Sequence, residues 1–306
     1  MKFNGNVLVT GGAGFIGQEV VKKLLVEGYN VTVIDLKPMP SDMDHIKYIQ
    51  GDIVDIQSCL TACEGQDYVI HLAAKARIPE SFVNPSAYFL NNVVGTQNLL
   101  AAAAAKKVKK IVYASSSSVY GNTPPPHKPY HKPSPLNYYA MTKLFGEHLC
   151  KQFRNLYGID YTILRLFTVY GDNQPSDDKN GLMIAKFARL AKEGLPLTVH
   201  GDGAARRDFV HVDDVANAFY MAMKSKVHNE VFNVGTGENI SVNEVVEILK
   251  KFVSDIHIDY IPTPKGYAAS TLADTSKTRK LMGWRPTISQ ADGIENMYKT
   301  LCCPQI

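Results

Sequence analysis

Long apolar runs and clustered charge are both missing from this chain of 306 residues. No window approaches the ~18 uninterrupted apolar residues of a membrane helix. The first residues lead directly into an apolar strand, without the basic stretch that opens a signal peptide. The formal net charge of +4 is spread along the sequence, which argues against a nucleic-acid-binding protein. We therefore expect a cytoplasmic protein that contacts neither membrane nor nucleic acid.

The five cysteines form no recognisable framework. Cys59 and Cys63 are four residues apart on a predicted helix, but no second pair or histidine cluster completes the four ligands of a structural zinc site. Few and scattered cysteines fit a reducing compartment. We expect ordinary thiols and no metal.

Short apolar strands alternate with helical patterns through the first half of the sequence. Continuous apolar strands separated by helices are typical of a parallel sheet covered on both faces. After about residue 170 a polar loop, shorter strands and further helices follow. The pattern predicts an α/β protein with a doubly wound sheet in residues 1–170 and a smaller α/β domain mainly in residues 171–306, with some elements interleaved.

A glycine-rich loop, Thr10–Gly17, joins the first predicted strand to the first helix. Glycines let the backbone turn tightly and approach a pyrophosphate, which then lies at the helix N-terminus. The second strand ends in Asp35, 18 positions after Gly17, where a carboxylate can accept the ribose 2′-hydroxyl and repel a 2′-phosphate. This combination predicts a Rossmann-type dinucleotide site that prefers NAD to NADP.

Further candidate cofactor contacts lie where the third and fourth strands end, because doubly wound sheets bind ligands at this edge. The sequence Gly51–Ile53 closes the third strand beside the expected adenine, and HLAAK (residues 71–75) closes the fourth. His71 alone is more typical of a structural histidine. Lys75 and Arg77 are as typical of solvated positions as of phosphate contacts.

Tyr139 and Lys143 lie four residues apart on a predicted helix, so their side chains share one face. A free tyrosine has a pKa of about 10 and is a poor base at neutral pH. A lysine ammonium one turn away, with a cationic nicotinamide beside it, would lower the pKa of Tyr139. Together with the glycine-rich loop and the serine run at residues 115–118, the pair predicts an acid–base group.

These motifs also follow one another in a known order. They are the glycine-rich loop, Asp35, HLAA, Asn92–Thr96, SSSSVYG (115–121), Tyr139 with Lys143, LRLFTVYG (164–171), RRDFVHVDD (206–214), NVGTG (233–237) and LADTSK (272–277). Over essentially its whole length the chain resembles the extended short-chain dehydrogenase/reductases of the nucleotide-sugar epimerase/dehydratase type.

The resemblance implies which residues act on the sugar. Ser116 is similar to the Ser or Thr that binds the sugar 4-hydroxyl beside the tyrosine. The next two positions hold Asp-Glu in the 4,6-dehydratases and usually a Glu in the decarboxylases. Here they are Ser117 and Ser118, which cannot perform carboxylic acid–base chemistry. The resemblance therefore implies an NAD-dependent UDP-sugar 4-epimerase that works through a transient 4-keto sugar.

The resemblance implies the remaining contacts as well. Lys143 would orient the nicotinamide ribose, Arg207 would meet the nucleotide diphosphate, and residues near Val199 would grip the base. The implied cofactor contacts are Gly11, Gly14, Phe15, Ile16, Asp35, Leu36, Asp52, Ile53, Leu72, Ala73, Ala74, Lys75, Asn92, Tyr139, Lys143 and Phe167. The implied substrate contacts are Ser116, Ser117, Ser118, Tyr139, Thr168, Lys179, Leu182, Val199, Arg207 and Thr271. A homodimer through the helices at 92–106 and 139–157 is also implied.

The substituent at C6 of the sugar stays open. Thr168 stands where UDP-galactose 4-epimerases usually have Asn, Gly181 falls near another substrate Asn, and the arginine expected before the last strand is missing. Thr168, the serine run and Thr271 look like UDP-glucuronate 4-epimerases instead. The loop that carries Lys179 also holds three aspartates at 172, 177 and 178, whose field would repel a uronate carboxylate.

We therefore expect UDP-glucose or its N-acetyl analogue to be preferred to UDP-glucuronate. A UDP-glucuronate 4-epimerase is the alternative. A 4-keto-sugar reductase or dehydratase and a non-catalytic, NAD-sensing regulator with the same fold are the further ones.

Overall fold

The computed structural model describes residues 4–40, 43, 46–177, 181–253 and 255–302. The strands are β1 (Asn6–Thr10), β2 (Asn30–Asp35), β3 (Lys47–Gln50), β4 (Tyr68–His71), β5 (Lys110–Ser116), β6 (Asp160–Leu166), β7 (Thr168–Tyr170), β8 (Leu197–His200), β9 (Arg206–Arg207), β10 (Phe209–His211), β11 (Glu230–Val234), β12 (Ile240–Ser241) and β13 (Ile258–Ile261).

Helices of very different lengths connect these strands. They are α1 (Phe15–Val26), α2 (Ile56–Ala62), α3 (Ile78–Val83), α4 (Pro85–Phe89), α5 (Gly95–Ala105), α6 (Tyr138–Tyr157), α7 (Met183–Lys192), α8 (Val212–Lys224), α9 (Val242–Lys250), α10 (Ser276–Met282) and α11 (Gln290–Cys302). A π-helical turn at Leu90–Val94 precedes α5, and a 3-10 turn at Ser117–Tyr120 follows β5. Among the described residues, no helix combines the length and apolar character needed to cross a bilayer.

Seven strands form one parallel sheet in the order β11-β6-β5-β4-β1-β2-β3. From β1 the chain runs outward through β2 and β3, then returns to β4 on the other side of β1. The neighbouring carboxyl ends of β1 and β4 therefore mark the point where the strand order reverses, which is where such sheets bind ligands. The predicted Rossmann-type doubly wound fold is confirmed.

Alternating residues of the strands face two separate cores, because successive side chains of a strand point to opposite faces. In β1, Val7 and Val9 pack with α1 and α8, whereas Leu8 packs with α2, α5 and α6. All three side chains are fully buried. The near-continuous apolar sequence of the strand follows from this two-sided burial.

Segments that follow residue 170 return to the main sheet. Strand β11 pairs with β6 as the outer strand, and α8 shares the core of α1. Trp284 is fully buried in the same core, and its Nε1 donates to the carbonyl of Asp214 at 2.9 Å. A third core holds α7, α9, α11 and β8 together, beside the short pairings β8–β13 and β9–β12.

Candidate functional site

The glycine-rich loop is built for close backbone approach. Gly11 has φ +72, and an added Cβ there would lie 2.7 Å from the backbone nitrogen of Ala73. A Cβ on Gly17 would collide with the carbonyl oxygen of Gly11. Gly14 is the N-cap of α1, with no side-chain cap and no acidic residue in the first turn. The N-terminus of α1 is therefore left to a ligand, and these residues fit a dinucleotide pyrophosphate.

Asp35 is held against this loop. Its Oδ2 accepts the Ala13 N–H and its Oδ1 accepts the Lys37 N–H, both at 3.0 Å. Each carboxylate oxygen has a second lone pair. The carboxylate is therefore fixed in orientation at the end of β2, and it retains acceptor capacity for a ribose hydroxyl.

The end of β4 is fixed by buried polar groups. His71 Nδ1 lies 2.7 Å from Thr10 Oγ1 and its Nε2 lies 2.9 Å from Thr96 Oγ1. Burial lowers the pKa of His71 to about 3, so the ring is neutral and structural. Asn92 accepts the Lys75 N–H at 2.8 Å and donates to the Lys75 carbonyl and to Thr142 on α6. The Asn92 amide therefore joins the segment that follows β4, at Lys75, to α6.

The serine run divides between two sides of β5. Strand β5 ends at Ser116, whose Oγ accepts the Ser118 N–H at 3.2 Å and so caps the 3-10 turn. Ser118 Oγ lies 2.9 Å from Ser116 Oγ. Ser115 points to the opposite side and donates to Glu147 at 2.6 Å. Strand β5 therefore includes Ser115 and Ser116 of the run, and the 3-10 turn begins at Ser117.

Ser116, Tyr139 and Lys143 come together beyond the carboxyl end of β5. Asn137 caps α6 by accepting the Ala140 N–H at 2.8 Å, which places Tyr139 in the first turn and Lys143 one turn later. The hydroxyls of Tyr139 and Ser116 share a hydrogen bond. Lys143 Nζ donates to the Ala114 carbonyl at 2.8 Å.

The protein's own groups do not lower the pKa of Tyr139; the expected lowering requires a bound cationic nicotinamide as well, and it stays a prediction. Burial raises the pKa of Tyr139, and the hydrogen bond with Ser116 only partly opposes that rise. The Lys143 ammonium, which is only one of the two cations in that expectation, donates to the Ala114 carbonyl, and burial lowers its pKa to about 8. Desolvation therefore exceeds the effect of the hydrogen bond.

The sequence did not predict a buried polar network that adjoins Ser116, Tyr139 and Lys143. Glu147 accepts two hydrogen bonds from Arg165, at 2.8 and 2.7 Å. Arg165 Nη1 also donates to the Pro129 carbonyl at 3.1 Å, and its Cζ lies 4.7 Å from the ring centre of Tyr120. Tyr120 in turn donates to Asn233 at 2.6 Å. Tyr139, Lys143 and Glu147 follow one another at i,i+4 along α6, which was the available signal.

Arg207 lies on β9, on the other side of the site. Its Nη1 donates to the carbonyls of Arg206 and Ala269, at 2.8 and 3.1 Å. Burial lowers the pKa of Arg207, and no carboxylate among the described residues forms an ion pair with it. A partly buried guanidinium without a counter-charge suits an anionic ligand.

A family model described as the NAD dependent epimerase/dehydratase family matches residues 7–235. The chain belongs to this family. UDP-glucuronate 4-epimerase of Thermodesulfobacterium geofontis is 37% identical, over 95% of this chain and 94% of the relative.

Two solved structures are similar over nearly their whole length. UDP-glucose 4-epimerase of Thermotoga maritima, with UDP-glucose, has a TM-score of 0.92 and 32% identity, covering 97% of this chain and 98% of the other. MoeE5, in complex with UDP-glucuronic acid and NAD, has a TM-score of 0.91 and 33% identity, covering 96% of this chain and 98% of MoeE5.

Several residues implied by the family resemblance lie deeper than a ligand contact requires. The side chains of Val199 and Ile53 are buried in the third and second cores, with 0% and 4% exposure, which leaves their backbones for a ligand. Phe167 is buried against Tyr120 and His127. Thr271 is buried, and its hydroxyl has no hydrogen-bond partner among the described residues.

Other implied contacts of this epimerase/dehydratase family member are more open to a ligand. Thr168 is half-buried at the start of β7, while Leu36 and Leu182 are exposed. Lys179 and the neighbouring Asp178 lie outside the described residues.

Asp208 is a second residue that sequence reasoning missed. Its buried carboxylate accepts the N–H groups of Thr236, Gly237 and Ala273 at 2.7 to 3.0 Å, and the Thr236 hydroxyl at 2.8 Å. These donors come from the NVGTG and LADT segments. Asp208 therefore fastens both segments beside Arg207. The only sequence signal for this arrangement was that the NVGTG and LADTSK segments follow the segment of Asp208 in the order of the family motifs.

The thiols that the structure describes are buried, on α2, at its C-cap and on α6. Cys59, Cys63 and Cys150 are free, and burial raises the pKa of Cys59 and Cys63 to about 12. Inert core thiols behave in this way. The structure describes neither the Cys302 side chain nor Cys303.

Proposed function

We propose that this family member is an NAD-dependent UDP-sugar 4-epimerase. The observation that carries the proposal is the hydroxyl cluster of Ser116 and Tyr139 at the same carboxyl edge of the sheet as the glycine-rich loop, with serines rather than carboxylates at 117 and 118. The residues of the main sheet bind the dinucleotide, and β9 with its neighbours holds the nucleotide sugar. When bound, NAD would supply a reversible hydride acceptor for C4 of the sugar.

Tyr139 takes the proton of the sugar 4-hydroxyl, and Ser116 holds that hydroxyl by a hydrogen bond. Lys143, buried one turn along α6, positions the nicotinamide ribose. The resulting 4-keto sugar turns about its phosphate linkage while Arg207 retains the diphosphate. Return of a hydride to the opposite face of C4 would invert that carbon while Tyr139 returns the proton to the C4 oxygen, so no net redox change results.

A UDP-sugar with an uncharged substituent at C6 remains our preferred substrate. Ser117, Ser118 and Thr168 can donate hydrogen bonds to a 6-hydroxyl, and no arginine lies in the sequence between Asp172 and Gly181. UDP-glucuronate is the second candidate, because one similar protein is a UDP-glucuronate 4-epimerase and MoeE5 was solved with UDP-glucuronic acid.

The proposal is tested by following UDP-glucose, UDP-N-acetylglucosamine and UDP-glucuronate by proton NMR with the purified protein and NAD. We expect C4 inversion of a neutral sugar, with NAD required but not consumed. A kcat/KM for UDP-glucuronate ten times that for both neutral sugars would reverse the preference. Stoichiometric oxidation or reduction of the cofactor, or no conversion of any sugar, would contradict the epimerase itself.

Changing Asp35 should weaken the preference for NAD over NADP. We expect the ratio of the NADP dissociation constant to the NAD dissociation constant to fall roughly 10- to 100-fold in Asp35→Asn, since a charge-assisted hydrogen bond contributes about 1.5–3 kcal/mol. Asparagine retains an oxygen for the Ala13 N–H, so the loop keeps its geometry. Calorimetric titration with both nucleotides measures the ratio, and an unchanged ratio would remove Asp35 from the ribose site.

We also propose a homodimer. Phe89, Leu90, Met141 and Phe145 are 42–50% exposed on neighbouring parts of α4, the π-helical turn and α6, and the rings of Phe89 and Phe145 lie 6.0 Å apart. Contiguous exposed apolar side chains are typical of a protein interface. Sedimentation velocity at micromolar concentration should show the dimer; a monomer alone would exclude it.

A further inference from the structure

Asn137, the N-cap of α6, forms two hydrogen bonds through different atoms of one side chain. Its Oδ1 accepts the Ala140 N–H at 2.8 Å, within the first turn of α6. Its Nδ2 donates to the Gly266 carbonyl at 2.9 Å, 129 residues further along the chain. Asn137 is 7% exposed, so solvent has little access to either bond. A helix cap requires only the oxygen, and the second bond therefore serves another purpose.

Gly266 belongs to the segment between β13 and α10, and we call residues 264–270 the 264–270 loop. Gly266 has φ +87, and a Cβ added there would lie 2.7 Å from Cζ of Phe82 on α3 and 3.4 Å from Cβ of Asn137. The ring of Phe82 meets the ring of Tyr138 edge-on, with centroids 6.0 Å apart. The loop therefore packs closely against α3 and the start of α6.

The other end of the 264–270 loop is fixed to β9. The Ala269 carbonyl accepts the Arg206 N–H and a hydrogen bond from Arg207 Nη1, both at 3.1 Å. Three residue steps separate Ala269 from Gly266, and a chain of that length spans at most about 11 Å. The loop therefore holds the start of α6 at a short distance from the strand that carries Arg207.

This link joins two groups whose spacing the proposed reaction needs. Tyr139 is the second residue of α6, two positions after Asn137. In the proposed function Tyr139 takes a proton from the sugar, while Arg207 retains the diphosphate of the same molecule. A displacement of about 1 Å between reacting groups can lower a rate roughly 10²-fold. The relative placement of α6 and β9 therefore affects turnover directly.

We propose that Asn137 is a positioning residue, which sets the distance between Tyr139 and the nucleotide sugar by binding the 264–270 loop to α6. The side-chain oxygen completes the helix, and the side-chain nitrogen holds the loop. The proposal rests on the proposed function, since it assumes that Tyr139 and Arg207 act on one substrate. Asn137 itself contacts neither the sugar nor the cofactor in this proposal.

Asn137→Ser separates the two roles. Serine caps a helix about as well as asparagine, but it has no atom in the place of Nδ2. We expect kcat for the preferred UDP-sugar to fall roughly 3- to 10-fold, the factor that corresponds to one neutral hydrogen bond. The dissociation constant of UDP, from calorimetric titration of the NAD-saturated protein, should stay within about twofold because Arg207 keeps its place on β9. The melting temperature should stay close to that of wild type.

Asn84→Ser is the matched control, because Asn84 caps α4 in the same way, by accepting the Ala87 N–H at 3.0 Å. It should keep the kcat of the wild-type protein. If Asn84→Ser loses as much kcat as Asn137→Ser, or if kcat is unchanged in Asn137→Ser, the proposal is overturned.

Gly266→Ala breaks the same link from the other side, since a methyl group there meets Phe82 and a positive φ strains any L side chain. We expect it to lower kcat as well. The loss in the double variant Asn137→Ser, Gly266→Ala should be smaller than the product of the two single losses, because both changes act on one hydrogen bond. Losses that multiply would show two separate effects and would overturn the shared link.

Hydrogen exchange tests the link without turnover. In Asn137→Ser the amides of residues 264–270 should exchange at least about threefold faster, while those of α6 stay protected. Unchanged exchange in the 264–270 loop overturns the proposal, and faster exchange throughout α6 overturns it by leaving Asn137 as a helix cap alone. If the loop exchanges faster as expected but the wild-type protein converts no UDP-sugar, the proposed function is contradicted instead, while the link between loop and helix stands.

Discussion

Tyr139→Phe is expected to lower kcat by roughly 10²-fold or more, as the loss of a general acid–base group should. The change removes one oxygen and leaves the ring, so folding and cofactor binding should be preserved. Ser116 would keep its Oγ close to Ser118, but the sugar 4-hydroxyl would have no group to take its proton. We expect kcat to fall much more than KM changes, because the phenol acts in the chemical step.

Tyr138→Phe is the matched control, since Tyr138 is the preceding residue of α6 and its side chain is 45% exposed. It should retain the activity of the wild-type protein. NMR turnover of the preferred UDP-sugar measures both variants, and melting temperatures confirm that they fold. A folded Tyr139→Phe protein with the turnover of wild type would remove the mechanism.

Arg165→Met is expected to lower the free energy of unfolding by about 3–5 kcal/mol, the usual cost of breaking a buried ion pair by removing one partner. The side chains of Arg165 and Glu147 are 4% and 0% exposed. Without Arg165, the Ser115 hydroxyl is the one donor that remains to the Glu147 carboxylate among the residues that the structure describes. The Pro129 carbonyl loses its bond from Nη1 as well.

Urea unfolding measures this effect against two further variants. Lys250→Met removes an exposed i,i+3 pair with Glu247, in which the side chains are 42% and 66% exposed, and should cost at most about 0.5 kcal/mol. The double variant Arg165→Met, Glu147→Leu should recover most of the lost stability, because no buried charge is left unpaired. If Arg165→Met costs no more than Lys250→Met, the pair does not stabilise the fold in this way.

The effect on stability should extend to catalysis. Glu147 is one turn beyond Lys143 on α6, and its partner Ser115 directly precedes Ser116. The pair thereby joins the catalytic helix to the end of β5. Loosening it should displace Lys143 and Ser116 together, so that a folded Arg165→Met protein loses kcat as well.

Most of the candidate site could be predicted because its signals are local. The glycine-rich loop, the carboxylate at the end of β2 and the i,i+4 pair on α6 each depend on a few consecutive residues and the period of one element. The serine run was harder. Its residues continue an apolar strand, yet the chain turns after Ser116, because that side chain caps the next turn.

The direction of the Tyr139 pKa shows why the rest could not be predicted. The spacing of Tyr139 and Lys143 predicts a cation beside a phenol, but the three-dimensional packing directs the ammonium to Ala114 and only partly buries Tyr139. Desolvation depends on everything that surrounds a group. It cannot be read from a spacing of four residues.

The sequence by itself determined the alternation of strands and helices, and it supplied the candidate dinucleotide loop and the candidate pair of Tyr139 and Lys143, since period and spacing are properties of neighbouring residues. Only the tertiary structure decided that β11 returns beside β6, that Glu147 meets Arg165, and that Asp208 fastens the segments around Thr236 and Ala273. These contacts join residues far apart in the chain. They arise because the two faces of one sheet must be covered and each buried charge needs a partner.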